Sequence, residues 1–522
     1  MPEIKPSPGP AHPEQATTAA ARPDAAIADN FRRAIAHHQR GQLAQAQTLY
    51  REILGEARDH FDALHMLGVI EYQRGRHVAA IELFTQALAT APDNFSAHVN
   101  KGNALHALGR GTEALASYDH ALRLGPDYAT AHYNKGILLQ DLERLDEALA
   151  SYERALHLEP DHVDARVRHG TILRKLNRPA DALASIDRVL LIDPDHTDAL
   201  VNRGITLRML NRSDEALTSY DRALRLKPDH VGALVNRGKA LQTLTRHAEA
   251  LASLDHALEL KPGLPDALRS RGDVLLDLNR PADAAAAYRQ ALGKDRNPEQ
   301  IKYLTYALAA LGTGSQPGAA PPQFITNMFD QYAERFDQHL VGTLNYQAPT
   351  LLSGLIMRFC TGRDLDILDL GCGTGLLGPL LKPLARTITG VDLSPGMLEK
   401  ARLRGVYDEL IHSELTAFLQ TRSGSFDLAV ATDVFIYIGD LSAVFAGVRG
   451  ALRNGGWFGF SIEANEGEDF VLRPTRRYAQ SVAYIEKLAS RHGFVITHLE
   501  PRAIRLEKGV GMPGCLALLR CR

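Results

Sequence analysis

The chain has 522 residues, of which 45% are hydrophobic and 23% are charged, a composition typical of a folded globular protein with room for about three domains. Basic and acidic residues nearly cancel, at 59 and 61 in the whole chain and at 21 and 21 from Phe324 onward. Neither part has the basic excess of an electrostatic nucleic-acid binder, and four cysteines without a C-x-x-C pair argue against a disulfide framework or a cysteine-rich zinc site.

Residues 1–26 are rich in Pro, Ala and Thr, show no apolar periodicity, and are predicted to form a disordered tail. Their first residues, MPEIKPSPGP, lack the apolar core of a signal peptide. No apolar run of about 18 residues occurs in the chain, so no membrane-spanning helix is expected. These features predict a protein of the cytoplasm, a reducing compartment.

Residues 27–298 repeat a pattern with a period of 34 residues. Three registers keep this period: Gly68, Gly102, Gly136, Gly170, Gly204, Gly238 and Gly272; Ala80, Ala114, Ala148, Ala182, Ala216, Ala250 and Ala284; and Pro92, Pro126, Pro160, Pro194, Pro228 and Pro262. The pattern predicts eight repeats, at 27–60, 61–94, 95–128, 129–162, 163–196, 197–230, 231–264 and 265–298. The first and last are degraded, as end repeats often are.

The recurring residue types suit two helices packed closely together. The small Gly and Ala permit close approach, an aromatic residue four positions after the Ala lies on the same helix face, and the Pro ends the second helix. The aromatic residues are Phe84, Tyr118, Tyr152, Tyr220 and Tyr288, and left-handed turn residues are predicted at Gly109, Asn177, Asn211 and Asn279. The pattern resembles the tetratricopeptide repeat (TPR) family, and residues 299–311 are predicted to form a helix that caps the solenoid.

Asparagine recurs at one position of the first helix in several repeats, at Asn100, Asn134, Asn202 and Asn236, with Arg168 interrupting the series. This series looks like the asparagine ladder of the TPR superhelix in O-GlcNAc transferases, which implies a protein or peptide partner on the concave face. The alternative is that these amides hydrogen-bond neighbouring repeats. His60, His162, His196 and His230 also recur and are interpreted as packing or solvent-facing residues rather than metal ligands.

Residues 312–323, GTGSQPGAAPPQ, are predicted to be a linker, after which strands alternate with helices. Buried strands are predicted at Asp366–Leu370, Thr387–Val391, Phe426–Thr432 and Trp457–Ile462, with an antiparallel edge hairpin in Phe494–Arg520. The chain is therefore predicted to be multidomain, with an all-α solenoid followed at 324–522 by a doubly wound, Rossmann-like α/β domain. Its site is expected at the carboxyl ends of the strands.

Two features at the strand ends suit an adenosine-containing cofactor. Glycines in Gly371–Gly375 let the backbone turn tightly and approach a ligand, and Asp392 at the end of the next strand can accept both ribose hydroxyls. A nicotinamide cofactor is one alternative, because Gly373–Gly378 satisfies G-x-G-x-x-G, and a plain tight turn is another. Asp369 favours neither, since its charge would repel a diphosphate and attract a sulfonium or ammonium.

The string ILDLGCGTG, with VD-L-S at the next strand end, resembles class I S-adenosylmethionine (SAM)-dependent methyltransferases over about residues 324–522. The resemblance implies SAM as the cofactor. It implies that the methionine and ribose end of SAM is lined by Asp369, Gly371, Gly373 and Gly375. By the same resemblance Asp392 binds the ribose, Glu414 lies near the adenine, and Asp433 borders the methyl-transfer site.

Three further stretches, Phe329–Leu340, Asp433–Asp440 and Arg476–Ser481, together with the repeats, resemble the TPR-repeat methyltransferases of bacteria. The resemblance implies that Tyr332 and Phe336 lie over SAM as part of a lid; ordinary packing of their helix on the sheet is the alternative. In that group R-Y-A-H-S is expected where this chain has Gln480. If the His is a catalytic base in the family, this chain lacks it.

No motif assigns a catalytic base. The sequence contains neither N-P-P-Y nor D-P-P-Y of amino-methylating DNA enzymes, and no H-E-x-x-H or other metal-ligand spacing, so no metal is expected. Asp433, Tyr437 and Glu463 are the polar groups best placed at strand ends, and Asp433 and Tyr437 are the candidates for catalysis.

Two functions from different classes follow. The first is a SAM-dependent methyltransferase whose repeats recruit a protein or peptide. The second is a TPR scaffold or adaptor whose methyltransferase-like domain binds SAM but has weak or no activity, since a fold does not establish an activity.

Overall fold

The structure is a computed structural model, and it describes residues 23–333, 336, 337, 346–507 and 510–522. The chain forms two compact units, one up to Asn236 and one from Arg237. Of the predicted disordered tail, residues 1–22 lie outside the described residues. The prediction was wrong for residues 23–26, which form the first turn of a helix that begins at Pro23. Proline is well suited to that position because the first helical N–H has no intrahelical partner.

Helix pairs build the first unit and continue into the second. The helices are α1 (Pro23–Gln39), α2 (Leu43–Glu56), α3 (Phe61–Gln73), α4 (His77–Thr90), α5 (Phe95–Ala107), α6 (Gly111–Leu124), α7 (Ala129–Asp141), α8 (Leu145–Leu158), α9 (Val163–Lys175), α10 (Pro179–Ile192), α11 (Thr197–Met209), α12 (Ser213–Leu226), α13 (Val231–Thr243), α14 (His247–Leu260), α15 (Pro265–Asp277), α16 (Pro281–Leu292) and α17 (Pro298–Ala310). They provide one pair for each predicted repeat, and α17 lies where the capping helix was predicted.

The recurring glycines lie against the recurring aromatic rings. A Cβ added to Gly136 would meet the Tyr152 ring at 2.7 Å, and one added to Gly102 would meet the Tyr118 ring at the same distance. Tyr152 and Tyr118 are fully buried. The helices of a pair therefore approach more closely than any side chain at the glycine position would allow.

The turn inside each repeat has one residue with a positive φ. As predicted, Gly109, Asn177, Asn211 and Asn279 adopt this conformation, with φ of 73°, 56°, 57° and 56°. Glu143 and Thr245 adopt it at the same position, with φ of 57° and 59°, although neither type favours it. The repeat geometry therefore overrides local preference at these two turns.

The recurring histidines cap helices. The Nδ1 atoms of His60, His162, His196 and His230 accept a hydrogen bond from the backbone N–H three residues later, at 3.0–3.3 Å. Asn94, which precedes α5, does the same through its side-chain oxygen, at 2.9 Å. A cap of this kind satisfies one of the N–H groups that a helix leaves without a partner.

The rest of the second unit is an α/β domain around one large sheet. Its strands are β1 (Leu365–Leu370), β2 (Ala385–Asp392), β3 (Glu409–His412), β4 (Phe426–Ala431), β5 (Leu452–Glu463), β6 (Phe470–Leu472), β7 (Tyr478–Gln480), β8 (Phe494–Glu507) and β9 (Val510–Cys521). Its helices are α18 (Pro322–Tyr332), α19 (Ala348–Phe359), α20 (Gly378–Leu381), α21 (Pro395–Leu403), α22 (Leu415–Gln420), α23 (Ser442–Ala451) and α24 (Val482–Arg491).

The strand order is β3-β2-β1-β4-β5-β9-β8, and β6 and β7 form a separate hairpin. Strands β1 to β5 pair in parallel, and β8 and β9 are antiparallel at the edge, as predicted. Apolar side chains cover both faces of the sheet in two clusters, one around Phe458 and Phe460 and the other around Ile367 and Leu428. The predicted Rossmann-like fold is confirmed, and its order reverses between β1 and β4, where such sheets bind ligands.

The predicted linker contacts the α/β domain. Helix α18 begins at Pro322, inside the predicted range, and the carbonyl oxygen of Gly318 accepts hydrogen bonds from the N–H groups of Gly439 and Asp440, at 2.8 and 2.9 Å. The Ala320 N–H donates to the Tyr437 carbonyl oxygen at 2.9 Å. In the described part of the chain, no helix has both the length and the apolar character needed to cross a bilayer.

Candidate functional site

The turn after β1 presents its backbone to open space. Gly371, Gly373 and Gly375 have φ of 63°, 54° and 81°, where a side chain would be strained. A Cβ on Gly371 would lie 2.5 Å from Val434, and one on Gly375 would lie 2.8 Å from the Tyr407 ring. No described atom lies within 4 Å of that position at Gly373, so in the described part of the chain the backbone there is open to a ligand.

Asp392, at the end of β2, holds this turn. One carboxylate oxygen accepts from the Gly373 N–H at 2.9 Å, and the other accepts from the Ser394 N–H at 2.8 Å. Burial raises the pKa of Asp392, although these backbone donors oppose the shift. Each carboxylate oxygen can accept more than one hydrogen bond, so both retain capacity for the hydroxyls of a ligand.

Asp369 is a second acid at the same strand ends. It is 2% exposed, and its Oδ2 accepts from the Tyr407 hydroxyl at 2.7 Å. Burial, with the charge of Asp392 adding to it, raises the pKa of Asp369 to about 7, although the Tyr407 hydrogen bond opposes the shift. Two acids beside an open glycine turn attract a cationic ligand and disfavour a diphosphate, so the donor set fits SAM better than a nicotinamide dinucleotide.

Two further carboxylates fix the segment before the sheet beside this turn. Asp330 of α18 accepts from the Ser394 hydroxyl at 2.5 Å and from the Gly396 N–H at 3.0 Å. Asp337 accepts from the Thr374 hydroxyl and forms an ion pair with Arg404. The segment is therefore attached both to the glycine turn and to the loop after β2.

Tyr332 lies in an aromatic cluster on this segment. Its ring centroid is 5.5 Å from that of Phe336, and Phe329 lies 5.9 Å from Phe336 and 5.6 Å from Tyr437. The cluster joins the segment to the loop after β4. Residues 334, 335 and 338–340 of the predicted amphipathic helix lie outside the described residues, and the position of Tyr332 over SAM stays a prediction.

The loop after β4 carries the candidate catalytic residues. Asp433 has a φ of 57°, unusual for a residue with a side chain, and its N–H donates to the Ser461 hydroxyl at 3.0 Å. Tyr437 ends a short 3₁₀ turn, Phe435–Tyr437. Glu463 is fully buried at the end of β5, 3.1 Å from Arg473.

Gln480, at the position where the resemblance implies a His, supports this loop. Its side chain is fully buried, and Nε2 donates to the carbonyl oxygens of Phe435 and Ile438, at 2.8 Å each. These bonds cross from β7 to the loop that follows Asp433. In this chain the residue at this position therefore holds the backbone of the loop after β4 by hydrogen bonds.

Glu414 caps helix α22. Its Oε2 accepts from the Ala417 N–H at 2.7 Å and from the Thr416 hydroxyl at 2.5 Å. The carboxylate follows β3 at the same edge of the sheet as Asp392, whose carbonyl oxygen accepts from the Ser413 N–H at 3.1 Å. A role near the adenine stays a prediction.

The asparagine series makes hydrogen bonds within the repeats. Asn100 and Asn134 are 4% and 1% exposed, and their amide nitrogens lie 2.9 Å from His65 and 3.0 Å from Asn103 of the preceding repeat. Asn202 accepts from Arg174 at 3.4 Å, and Asn236 donates to the Gly232 carbonyl oxygen at 2.9 Å. The contacts of Asn100, Asn134 and Asn202 join neighbouring repeats and match the alternative interpretation, whereas that of Asn236 stays within α13. Partner binding by the series stays a prediction.

Sequence reasoning missed four residues of the site: Asp330, Asp337, Arg404 and Tyr407. Asp330 and Asp337 lie in the stretch Phe329–Leu340, which was noted for its aromatic residues and not for these carboxylates, and Arg404 and Tyr407 belong to no motif. Each reaches the site through contacts that distant strands and helices create. In the described part of the chain, no group of three or more His, Cys, Asp or Glu side chains could hold a metal ion.

Family profiles match both parts of the chain. A "Methyltransferase domain" profile matches residues 368–460, which include the glycine turn, Asp392 and Asp433. A "Tetratricopeptide repeat" profile matches residues 31–95, 133–197, 167–231, 201–265, 235–301 and 269–323, and a "TPR repeat" profile matches residues 102–142.

Curated relatives match the methyltransferase part. A ubiquinone biosynthesis O-methyltransferase of Thiobacillus denitrificans is 29% identical over 112 residues, which is 20% of this chain and 47% of that protein. Human methyltransferase-like protein 27 is 40% identical over 87 residues, 16% of this chain and 35% of that protein. A malonyl-[acyl-carrier protein] O-methyltransferase of Geobacter sulfurreducens is 37% identical over 100 residues, which is 18% of this chain and 38% of that protein. The chain thus spans less than half the length of each.

Among solved structures, YrrB, described as a TPR protein with an unusual peptide-binding site, is 30% identical; the match covers 36% of this chain and 97% of YrrB, with a TM-score of 0.33. A tetratricopeptide repeat protein from Parabacteroides merdae is 22% identical; the match covers 48% of this chain and 99% of that protein, with a TM-score of 0.41. The family profiles and the curated relatives show TPR repeats on the N-terminal side of the chain and, on the C-terminal side, a class I methyltransferase domain homologous to O-methyltransferases.

Proposed function

We propose that the C-terminal domain binds SAM and transfers its methyl group to an oxygen nucleophile. The observation that carries this proposal is the open backbone at Gly373, flanked by two acids, the buried Asp369 and the partly exposed Asp392. The oxygen acceptor rests on the relatives, two of which are named O-methyltransferases.

The residues around the Gly371–Gly375 turn would each contact a different part of the cofactor. Asp392 would accept the ribose hydroxyls, since its oxygens face the Gly373 backbone. Asp369 would attract the positive charge at the methionine end, and Gly371, Gly373 and Gly375 would let the backbone lie close to it. When bound, SAM supplies an electrophilic methyl group with its own leaving group.

The loop after β4 would orient the acceptor. Asp433 and Tyr437 are the candidate catalytic side chains of that loop, and Tyr437 also packs on Phe329 of the preceding segment. For an acceptor hydroxyl, the Asp433 carboxylate would take the proton as the new bond to oxygen forms, and the Tyr437 hydroxyl would orient the acceptor. The aromatic cluster of Phe329, Tyr332, Phe336 and Tyr437 would exclude water from the reacting atoms.

The repeats would recruit a protein or peptide partner. TPR repeats are a protein-binding module, and repeat solenoids offer extended surfaces for such partners. The partner would be either the methyl acceptor or the protein that carries it.

Calorimetric titration with SAM and S-adenosylhomocysteine tests the cofactor part of the proposal. The wild-type chain should bind both, and Asp392→Asn should weaken binding by about 2 kcal/mol, or roughly 30-fold, because a charged acceptor is lost. Glu399→Gln is the matched control, since Glu399 follows β2 but its side chain is 73% exposed. Absence of binding by the wild type would contradict the proposal and leave a repeat scaffold whose α/β domain does not bind the cofactor.

A further inference from the structure

A buried polar cluster connects the last repeat to the α/β domain. It consists of Asp273 of α15, Tyr288 of α16, Tyr303 of α17 and Arg476 of the turn between β6 and β7, and we call it the Asp273 cluster. Asp273 Oδ1 accepts from Tyr303 at 2.6 Å, from Tyr288 at 2.8 Å and from Arg476 Nη2 at 2.9 Å. Arg476 also donates to the hydroxyls of Tyr303 and Tyr288, at 2.7 and 2.9 Å.

The charges in the cluster depend on each other. The side chains of Asp273 and Arg476 are only 16% and 19% exposed. Burial alone would raise the pKa of Asp273, but the charges of Arg476 and Arg269 outweigh it, so the pKa lies below its usual value. Removing Asp273 would leave the largely buried charge of Arg476 without its carboxylate, which is far more costly than losing a surface ion pair. Removing Arg476 would leave Asp273 with Arg269 as its ion-pair partner, at 3.4 Å.

The backbone of Arg476 is held as firmly as its side chain. Its φ is 60°, a conformation that a residue with a side chain rarely adopts. Its carbonyl oxygen accepts from the Tyr306 hydroxyl of α17 at 2.5 Å, and its N–H donates to the Arg473 carbonyl oxygen at 2.8 Å. The last helices therefore fix the turn between β6 and β7 through both parts of Arg476.

This hairpin continues into the loop that carries the candidate catalytic residues. Four residues after Arg476, Gln480 donates to the carbonyl oxygens of Phe435 and Ile438. The same loop is bound from its other side by the segment after α17, through the Gly318 carbonyl oxygen and the Ala320 N–H. The hairpin and the chain that leaves the repeats thus both hold the backbone of this loop. The rest of the α/β domain supports it as well, since Asp440 accepts from the Tyr484 hydroxyl at 3.1 Å and the Phe435 ring lies 5.3 Å from that of Phe460.

We propose that Asp273 and Arg476 are positioning residues for the methyl-transfer site. They act through the β6–β7 hairpin and Gln480 on the loop at Phe435–Asp440, so the last repeat is a structural part of the transferase and not only a recruiting arm. This inference rests on the proposed function for what the loop does. The structural connection from Asp273 to the loop rests on the hydrogen bonds alone.

Hydrogen exchange of the full chain, followed by mass spectrometry, tests the link. The reporters are the Gly439 and Asp440 amides, which donate to Gly318. In Asp273→Asn their exchange should be about tenfold faster than in the wild type, because the loop opens more often. Amides of β1 and β2 should be unchanged, and S-adenosylhomocysteine affinity should change less than about twofold, since neither Asp369 nor Asp392 contacts the cluster.

Asp255→Asn is the matched control. It breaks the ion pair between Asp255 and Arg271 of α15, whose Nε and Oδ1 atoms are 2.6 Å apart, without touching the hairpin. It should leave the two reporter amides unchanged. Equal exchange in the wild type and Asp273→Asn, or an equal rise in Asp255→Asn, would overturn the proposal.

Arg476→Lys and Arg476→Ala keep the test decisive if Asp273→Asn does not fold. The lysine retains the charge but cannot reach both tyrosine hydroxyls as a planar guanidinium does. In Arg476→Lys the exchange rates of the Gly439 and Asp440 amides should therefore lie between those of the wild type and those of Arg476→Ala. Identical exchange in all three proteins would contradict the proposal. Failure of the wild type to bind S-adenosylhomocysteine would contradict the proposed function instead, without changing this result.

Discussion

At the scale of single residues, the candidate site depends on two neighbouring acids, the buried Asp369 and the partly exposed Asp392. Asp369 donates nothing and accepts from Tyr407, whereas Asp392 accepts from two backbone N–H groups. Each charge makes the other less favourable, and burial adds to the effect. A bound cation would relieve this repulsion.

This arrangement predicts pH-dependent cofactor binding. Because the pKa of Asp369 is about 7, the carboxyl is protonated below that pH and attracts a cation only above it. SAM affinity should therefore rise as the pH increases from about 6 to about 8, and Asp369→Asn should abolish the rise and bind as weakly as the wild type at low pH. Calorimetry across this range measures both. A flat wild-type profile would contradict the assignment of Asp369.

His65 gives a second pH effect, in the stability of the repeats. It is 3% exposed, and burial lowers its pKa to about 4, so it is neutral in the folded state. Protonation favours the unfolded chain, and stability should fall by as much as about 3 kcal/mol as the pH decreases from about 6.5 to about 4. Urea unfolding at several pH values should show this loss of unfolding free energy in the wild type.

The matched variants for that prediction are His65→Gln and His157→Gln. Glutamine can still accept from Asn100 but does not titrate, so His65→Gln should lack the part of the pH dependence of stability that comes from His65. His157 is exposed on α8, so its replacement should leave the pH dependence unchanged. The interpretation fails if both variants behave alike.

At the scale of helices and strands, the glycine register sets how closely the helices of a repeat pack. Gly136→Ala should destabilise the chain by about 2 kcal/mol, because the new Cβ would lie 2.7 Å from the buried Tyr152 ring, which cannot move away easily. Gly55→Ala, in α2, should instead stabilise by about 0.5 kcal/mol, since no atom lies within 4 Å of its Cβ position. Denaturant unfolding compares the two; equal effects would contradict the packing argument.

The elements that could be predicted are those whose signals are local. The repeat helices follow from a short period, and the site at Asp369 and Asp392 follows from residues next to two strands. Tyr407 could not be predicted, because it reaches Asp369 across 38 residues only when the sheet has formed. The pairing of Asp273 with Arg476 spans 203 residues, and nothing in either local sequence signals it.

The exact bounds also depend on tertiary contacts. Helix α1 begins at Pro23 rather than after residue 26, and the predicted linker is bound to the loop at Gly439 and Asp440. Gly, Pro and Ser in a sequence indicate a break between elements, but they do not tell whether the broken segment is bound elsewhere.

At the scale of the whole chain, the boundary between the two compact units lies within the repeats and not at the linker. A chain that starts at Phe324 would leave Arg476 without Asp273 and Tyr478 without the Pro317 carbonyl oxygen, to which its hydroxyl donates at 2.6 Å. It should melt about 10 °C lower than a chain that starts at Val231. Circular dichroism measures this. Equal melting temperatures would show that the last repeat does not support the domain.

The most direct test of the account is a crystal structure of the full chain with S-adenosylhomocysteine. We predict the ligand over the Gly371–Gly375 turn, with its ribose hydroxyls on Asp392 and its amino group near Asp369, and with the Asp273 cluster intact. A ligand bound elsewhere, or a diphosphate-containing dinucleotide seated on this turn in its place, would contradict the account.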